Sequence, residues 1–252
     1  DQCLQGAVGL AEKGFPISPI IAEQFNFSAK DAPTLAAVYQ PNGRPLRYGE
    51  IFRNPLLAKC LSEVAKGGAD AFYEGRIAEQ IVAKSEEMGG FLSMKDFREH
   101  TANWVQPVSS RYRGWDVWEI PPNGQGIAAL QILNLMEQFN LSDLTANSVE
   151  HLHLFAEAKK LAFEDRAQFY ADMDFADVPV DWLISKEYAR TRAKRIDRRR
   201  ASQVLAHGDP ELDSDTIYLT AADNQGNMIS FIQSVFHGHG SSICPNDVGF
   251  PI

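Results

Sequence analysis

Two hydroxyl residues near the end of the chain, Thr216 and Ser234, have the most informative spacing in the sequence. Residues 216–223 and 227–235 are rich in β-forming side chains, and they flank the turn 224–226, Asn-Gln-Gly, with glycine at the position that must be left-handed. A hairpin closed by these three residues places Thr216 directly opposite Ser234. Opposed residues have Cβ atoms about 4.5 to 5.5 Å apart, so one hydroxyl can hydrogen-bond the other.

The acidic tract before Thr216 suggests a chemistry for that threonine. Leu212-Asp213-Ser214-Asp215 runs into the predicted strand, and a cut after Asp215 would give Thr216 an α-amine. The pKa of such an amine is about 7.7 to 8.0, so near neutral pH a useful fraction can take the proton of the threonine's own hydroxyl. Thr216 would then be nucleophile and base at once. Cross-strand Thr–Ser pairs usually only stabilise a sheet, and packing stays the alternative.

Other reactive side chains nearby are weaker candidates. Ser241 and Ser242 lack the final glycine of a GxSxG elbow and do not follow the strand–turn–helix order that this motif requires. His237 and His239 could form a weak metal pair, but no carboxylate or cysteine lies at ligand spacing, so a flexible loop is favoured. Cys244 has no activating neighbour in the sequence.

Helical and β periodicities divide the rest of the chain into elements. Apolar spacing and capping residues predict helices before Gly14, after Ser18, over 55–65, 76–88 and 127–139, and from 148 to 170. A period of two between Trp104 and Ile120 predicts two strands joined near Arg113-Gly114. Proline and glycine break the pattern over 33–53. We therefore expect mainly helices in the first two thirds of the chain and β structure after Asp215.

Polar features within these elements have a structural interpretation beside a functional one. Asp165 lies on the apolar stripe of the last long helix, with Phe155 on the same stripe, so we predict a structural ion pair with Arg166 or another cation. His151 and His153 are two apart on that helix and point in different directions, so they cannot share a metal. The loop 121–126 has the wrong spacing for phosphate binding, which favours tight strand-to-helix packing.

Composition and charge exclude several classes of protein. The 252 residues include 24 Lys+Arg and 33 Asp+Glu, a formal charge of −9, which argues against a nucleic-acid binder or a protein of anionic membranes. The basic run over 190–200 is the exception, and a solvated helical face followed by a basic loop is the favoured interpretation. Three cysteines at wide spacing encode neither a disulfide framework nor a zinc site. No apolar run approaches the length of a transmembrane helix, so we expect a soluble protein.

Four segments together resemble the γ-glutamyltranspeptidase family, in the same order along the chain. They are Gly14-Phe15-Pro16-Ile17-Ser18, the segment 121–127, Asp165-Arg166, and the stretch from Asp215-Thr216 to Asp223-Asn224-Gln225-Gly226-Asn227. The resemblance covers all 252 residues, and the last stretch is its most specific part. In that family one precursor cleaves itself before a threonine and gives two subunits that pack as an αββα N-terminal-nucleophile hydrolase. The resemblance implies an α+β fold of this four-layer kind, of which the chain is an incomplete portion.

The resemblance also implies roles for single residues. Thr216 matches the new N-terminal threonine that attacks the γ-glutamyl carbonyl, and Asp215 matches the residue on the other side of the self-cut bond. Ser234 matches the position whose hydroxyl, usually that of threonine, supports the nucleophile. Residues 1–215 would then be the C-terminal part of the large subunit, and 216–252 the start of the small one. The hairpin argument, which does not depend on the family, brings the same two hydroxyls together.

The sequence departs from the family's pattern at two positions near the predicted nucleophile. Ile217-Tyr218 follow Thr216 where the transpeptidases proper usually have a second threonine and a histidine. Phe236 stands where they carry an asparagine that helps hold the amino-acid end of the substrate. An acylase-like or cephalosporin-acylase-like substrate is therefore an alternative to glutathione. We expect the arginine that binds the α-carboxylate upstream of this chain, and the oxyanion and pocket residues downstream of it.

The resemblance implies a self-processing enzyme. We expect a γ-glutamyl hydrolase or acyltransferase that forms an acyl-enzyme on Thr216, with no metal or organic cofactor. Its partners would be a small γ-glutamyl or acyl-amide substrate and the two subunits of one precursor, without nucleic acid or membrane. A non-catalytic member of the fold that binds amides or peptides is the alternative. A cytoplasmic or an exported protein, monomeric or homo-oligomeric, agrees with the sequence.

Overall fold

A computed structural model describes residues 2–202, 216–234 and 238–252. The chain divides into two compact units. The first consists of Asp1–Thr101 and Asp209–Ile252, and the second is Ala102–Gly208. Within the described ranges the strands form three antiparallel sheets of two strands each. None of the helices in these ranges has both the length and the apolarity that crossing a bilayer requires.

The first unit is mainly helical and contains a hairpin in its second segment. Its helices are α1 (Gln2–Lys13), α2 (Pro19–Ala29), α3 (Pro33–Tyr39), α4 (Pro55–Tyr73), α5 (Arg76–Glu87) and α6 (Met94–Glu99), and its strands are β1 (Phe15–Pro16), β2 (Ile51–Phe52), β5 (Thr216–Ala222) and β6 (Met228–Ser234). Strand β1 pairs with β2, and β5 pairs with β6. One of its apolar clusters joins α4 and α5 to a residue near the end of the chain, through Cys60, Ile77, Ile81 and Val248.

The second unit places a hairpin beside a helical cluster. Its elements are β3 (Val108–Tyr112), β4 (Trp115–Glu119), α7 (Gly126–Met136), a 3-10 turn (Leu141–Asp143), α8 (Val149–Phe169), α9 (Val180–Leu183) and α10 (Lys186–Ala193). Helices α7, α8 and α10 share an apolar core that contains Leu135, Leu154, Ala158 and Ala189. Polar residues of the same three helices, Gln131, Asp165 and Tyr188, are joined by hydrogen bonds.

Side-chain caps set where several helices begin. Ser18 accepts a hydrogen bond from the Ile21 N–H at 3.3 Å, as its predicted role as an N-cap requires. Asn54 caps α4 in the same way, accepting from the Leu57 N–H at 3.0 Å. Ser148 caps α8. Each cap supplies an acceptor to one of the N–H groups that a helix start leaves without a partner.

Two helical stretches differ from the sequence prediction. The pattern over 33–53 was expected to be broken, yet α3 occupies Pro33–Tyr39, because proline fits the first turn of a helix, where its missing N–H costs nothing. Helix α4 runs to Tyr73 rather than ending near residue 65, passing a kink at Gly68, where φ is +66°. Glycine tolerates that conformation, so helical pairing continues on both sides of the kink.

The predicted hairpin in the second unit is confirmed. Strands β3 and β4 pair from Tyr112 opposite Trp115 to Val108 opposite Glu119. The connecting residues Arg113 and Gly114 have φ of +49° and +93°. Two successive positive φ angles are typical of the tight turn that matches the twist of an antiparallel pair.

Candidate active site

The hairpin of β5 and β6 has the predicted register. Thr216 is paired with Ser234, and the ladder continues through successive opposed residues to Ala222 opposite Met228. The two predicted site residues therefore lie directly opposite each other at the open end of the hairpin. The register follows from the turn, since a three-residue loop leaves one way to pair the strands.

The turn is held by one carboxylate. Asp223 accepts hydrogen bonds at 2.9 Å from the backbone N–H groups of Gln225 and Asn227, and at 2.7 Å from the Asn227 side-chain amide. These bonds from Asn227 lower the pKa of Asp223, so it stays charged near neutral pH. Gly226 has φ of +84°, the left-handed conformation predicted for it. The Asp-Asn-Gln-Gly-Asn segment thus fixes the register through its own side chains.

The described side chains of the hairpin lie at the surface. All seven residues of β6, Ser234 among them, are exposed, and so are residues 218–222 of β5. Several are large and apolar, including Tyr218, Met228 and Ile232. Two other predicted site residues, Asp215 and Phe236, lie outside the described residues. The structure thus brings Thr216 and Ser234 together as paired backbone positions and leaves the roles of all four residues as predictions.

The weaker serine candidates hold a turn that packs on α3. The Ser241 N–H donates to the Ile252 carbonyl at 2.8 Å, and its hydroxyl accepts from the Ile243 N–H at 3.1 Å. The Ser242 carbonyl accepts from the Thr34 hydroxyl at 3.3 Å. These contacts give both serines a structural role in the segment that follows the hairpin.

The cysteine and histidine candidates near this segment, Cys244 and His239, lie in structural surroundings. Burial raises the pKa of the Cys244 thiol to about 11, so the thiol stays protonated near neutral pH and is a poor nucleophile. The His239 ring meets Phe25 and Tyr39 edge to face at 5.4 and 5.1 Å between centroids. His237, its predicted metal partner, lies outside the described residues. Among the residues described, no cluster of three metal-ligating side chains occurs.

Asp165 forms the centre of a buried polar network in the second unit. It is 5% exposed and accepts at 2.8 Å from Gln131 on α7 and from Tyr188 and Arg192 on α10. Burial raises the pKa of Asp165, and the hydrogen bonds from Tyr188 and Gln131 and the charge of Arg192 oppose that rise. Burial also raises the pKa of Tyr188, to about 12, so its hydroxyl remains a donor. The network joins three helices.

The ion pair predicted for Asp165 is present in this network. The cation is Arg192, at 2.8 Å, whereas Arg166 lies over the ring of Phe163. The buried face of α8 includes Leu154, Ala158 and Ala162, whereas Phe155, expected there, is 47% exposed. The sequence signal that could have found the partners is the four-residue spacing of Tyr188 and Arg192, which puts both side chains on one face of α10.

The predicted close packing of strand and helix at the loop 121–126 is confirmed. A Cβ at Gly126 would lie 2.8 Å from the Ile120 carbonyl oxygen and from Glu119 Oε2, so strand and helix pack closely there. His151 accepts from the Asn147 N–H, and the His153 ring is bonded to the Asp197 carbonyl, on separate sides of α8. The basic run covers the end of α10 and the loop after it, and most of it is exposed as predicted, but the Arg192 side chain is only 13% exposed. Its ion pairs include Arg192 to Asp165 and to Glu164, and Arg198 to Glu150.

The family model that matches this sequence is described as Gamma-glutamyltranspeptidase, and it matches residues 1–252. The chain belongs to the γ-glutamyltranspeptidase family. Among curated proteins, it is 35% identical over 252 residues to the glutathione hydrolase-like YwrD proenzyme of Bacillus subtilis (strain 168). The match covers 98% of this chain and 47% of that protein. The chain thus spans about half the length of the curated relatives it matches.

Solved structures of this family share the fold. Cephalosporin acylase from Bacillus halodurans is 35% identical with a TM-score of 0.84, over 98% of this chain and 46% of that one. The γ-glutamyltranspeptidase of Helicobacter pylori is 31% identical with a TM-score of 0.73, over 80% of this chain and 59% of that one. The family and its acylase-like branch, both inferred from sequence motifs, are confirmed. The chain is a portion of the N-terminal-nucleophile hydrolase fold.

Proposed function

We propose that this transpeptidase-family chain is part of a self-processing enzyme that cleaves γ-glutamyl or related amide bonds through Thr216. The observation that carries the proposal is the pairing of Thr216 with Ser234 at the open end of the β5–β6 hairpin. Residues 1–215 belong to the large subunit in this proposal, and 216–252 begin the small one. The membership in a family of hydrolases and acylases supports it.

Self-processing is the first step of the proposed chemistry. The Thr216 hydroxyl oxygen adds to the carbonyl carbon of Asp215 and gives up its proton. The amide nitrogen takes up a proton and leaves as the α-amine of Thr216, which converts the peptide bond to an ester. Water then hydrolyses the ester and releases Asp215 as a new carboxyl terminus. The hydroxyl of Ser234, on the opposite strand, supports the threonine oxygen by hydrogen bonding.

Acyl transfer uses the amine that processing has exposed. The neutral α-amine of Thr216 takes the proton of its own hydroxyl, and the oxygen attacks the carbonyl carbon of the substrate amide. The leaving amine takes that proton, and the acyl group stays on Thr216 as an ester. Water, or an acceptor amine, attacks this ester and regenerates the threonine. Two easier displacements thus replace one difficult displacement.

The substrate preference follows from the position of Phe236 in the sequence. An aromatic ring there cannot supply the amide group that holds an amino-acid end, so we propose an amide substrate whose acyl group need not carry the α-amino and α-carboxylate groups of glutamate. Glutathione-like amides are the competing substrates. Comparing a chromogenic γ-glutamyl anilide with the matching anilide of butyric acid, which lacks both the α-amino and the α-carboxylate groups, separates the two.

Substitution of Thr216 tests the proposal. Thr216→Ala removes the attacking oxygen, so we expect one uncut polypeptide on a denaturing gel and no turnover of either anilide. Thr216→Ser keeps an attacking oxygen and serves as the control, with cutting retained at a lower rate. Cutting of the alanine variant between Asp215 and residue 216 would contradict the proposal. An intact parent protein after long incubation would instead favour the non-catalytic amide or peptide binder.

A further inference from the structure

Alternation along β5 and β6 gives the hairpin two faces. Successive side chains of a strand point to opposite sides of a sheet, so the face that carries Thr216 and Ser234 carries every second residue of each strand. The other members of this face, in opposed pairs, are Tyr218 and Ile232, Thr220 and Ser230, and Ala222 and Met228. We call this side of the hairpin, with Thr216 and Ser234, the Thr216 face.

The Thr216 face offers hydroxyl groups and apolar surface to a substrate. None of the residues at its positions is an aspartate, glutamate, lysine, arginine or histidine. A γ-glutamyl group brings an ammonium and a carboxylate, and each of these needs a polar partner when it is taken out of water. The part of a substrate that lies along this face is therefore best matched when it is uncharged.

The pair next to Thr216 and Ser234 on this face is aromatic and aliphatic. Tyr218 is two residues from Thr216, and Ile232 is two residues from Ser234, which is about 7 Å along each strand at about 3.4 Å per residue. Tyr218 is 59% exposed and Ile232 is 61% exposed. An acyl group on the Thr216 oxygen that extends along the strands therefore meets a tyrosine ring and a branched aliphatic side chain first.

A hydrogen bond sets the direction of the Tyr218 ring. The Tyr218 hydroxyl and the Ser230 hydroxyl are hydrogen-bonded to each other at 2.9 Å. Ser230 lies one pair of the Thr216 face closer to the turn than Ile232 does, so the ring extends toward the turn and away from the reacting end of the hairpin. The ring thus lies along the path of such an acyl group without covering the position of Thr216.

The opposite face of the hairpin provides a contrast. Leu219 and Phe231 form an opposed pair there, and they are 46% and 43% exposed. They are as apolar as Tyr218 and Ile232, but they point to the other side of the sheet from Thr216. An acyl group that lies on the Thr216 face does not contact them, which makes them matched controls.

We infer that Tyr218 and Ile232 form a subsite for the acyl group of the substrate, and that this subsite favours amides whose acyl chain ends in an aromatic ring. The inference rests on the proposed function and deepens it, because the subsite is placed by its distance from Thr216. Aromatic rings pair edge to face or offset-stacked, with centroids about 4.5 to 7 Å apart. A phenyl group can therefore pair with the Tyr218 ring, whereas a methyl group cannot.

Two anilides that differ only in a terminal phenyl group test the inference. The mature, full-length protein is assayed with the chromogenic anilides of butyric acid and of 4-phenylbutyric acid, and the two values of kcat/KM are compared. We expect the phenyl compound to be favoured by about tenfold, the upper range for one aromatic pair. Equal kcat/KM for the two anilides would overturn the inference and leave the proposed function standing. A protein that neither cuts itself nor hydrolyses any anilide would overturn the proposed function, and the inference with it.

Tyr218→Ala shows whether the ring is the source of the preference. We expect the ratio of the two kcat/KM values to fall to about 2 or less, because the aromatic pair is lost. Leu219→Ala is the matched control on the opposite face, and its ratio should equal the parent's. The ratio compares two substrates on one preparation, so a smaller fraction of folded or self-cut protein does not change it. An unchanged ratio in Tyr218→Ala, or an equal fall in both variants, would contradict the inference.

Ile232→Ala provides a second test if Tyr218→Ala does not fold or does not cut itself. This variant removes the aliphatic half of the subsite, so we expect the ratio to fall by about threefold, since a buried methylene contributes about that much to affinity. Phe231→Ala is its control on the same strand, with a ratio equal to the parent's. A parent ratio in Ile232→Ala would overturn the inference.

Discussion

Two polar sites in this chain, the Asp165 network and the β5–β6 hairpin, differ in burial and in the role that we assign to them. Asp165 is buried and receives hydrogen bonds from Gln131, Tyr188 and Arg192. The hairpin presents Ser234, paired with Thr216, on an exposed strand. A buried carboxylate with donors from two neighbouring helices is a structural feature, whereas the pairing of Thr216 with Ser234 at the end of the hairpin carries the proposed reaction.

Burial with a set of donors marks Asp165 as a residue that holds the fold, whereas backbone register is what singles out Thr216 and Ser234 for the proposed reaction. An aspartate on an apolar face must find a partner, because isolated charge is costly there. The donors around Asp165 remove that cost. The residues with a proposed reaction are instead recognised by backbone pairing, which is set by the Asp223 turn.

The largest effect on stability is expected at Asp165. Asp165→Ala leaves the mostly buried Arg192 with only the exposed Glu164 as a carboxylate partner, and it removes the acceptor of Tyr188 and Gln131. We expect a loss of about 3 kcal/mol in the free energy of unfolding, the lower end for a broken buried pair. Urea denaturation measures the loss. Arg166→Ala is the control on the adjacent residue, and its expected loss is about 1 kcal/mol or less, since Arg166 only lies over the Phe163 ring. Similar losses in the two variants would show that Asp165 contributes no more to the free energy of unfolding than Arg166 does.

At Ser234 in the hairpin we expect the opposite pattern, a slower reaction without a loss of stability. Ser234→Ala removes the hydroxyl opposite Thr216, so we expect self-cutting to slow by about 100-fold, the lower end of what a positioned proton-transfer group contributes, with stability unchanged. Ser230→Ala is the control. It makes the same change four residues away on the same face of β6, where the hydroxyl is hydrogen-bonded to the Tyr218 hydroxyl at 2.9 Å. Timed denaturing gels compare the rates. If both variants cut equally slowly, the position opposite Thr216 has no special role.

We expect substitutions in the turn to slow self-cutting less than the loss of the Ser234 hydroxyl does. Gly226 has the left-handed backbone conformation, and a valine in that conformation costs about 1 to 2 kcal/mol of conformational free energy. We expect Gly226→Val to slow self-cutting by about tenfold through loss of register. Gly226→Asn is the control, because asparagine adopts this conformation more readily, and it should cut at nearly the parent's rate. Normal cutting by the valine variant would mean that the register tolerates a strained turn.

The smallest effect depends on pH and belongs to the second unit. Lys186 bonds Glu137 at 2.5 Å, and this hydrogen bond lowers the pKa of Glu137 below its ordinary 4.5. The pair therefore stabilises the folded state above about pH 4.5, and this contribution is lost as the pH falls through the lowered pKa. Lys186→Met should cost up to about 1 kcal/mol at pH 7, and less at pH 3.

Thermal melts across this pH range measure the effect, and an exposed ion pair provides the control. Lys95 and Glu99 are 3.8 Å apart with both side chains mostly exposed, so Lys95→Met should change stability by a few tenths of a kcal/mol at most at either pH. A stability difference for Lys186→Met that grows as the pH falls would show that the ion pair is not its source.

The parts of the structure predicted from sequence are those fixed by local interactions. The register of Thr216 and Ser234 follows from a turn whose donors and acceptors lie within five residues, and the cap at Ser18 acts within three. The partners of Asp165 were not predicted, because Tyr188 and Arg192 lie 23 and 27 residues away on another helix. Their meeting depends on how α8 and α10 pack, which periodicity alone does not specify.

The N-terminal sequence of the small subunit tests the central claim most directly. Edman degradation of the mature, full-length protein should read Thr-Ile-Tyr-Leu from one polypeptide, beginning at Thr216, and Thr216→Ala should abolish that sequence. A mature, active protein in which no polypeptide begins at Thr216 would contradict the account.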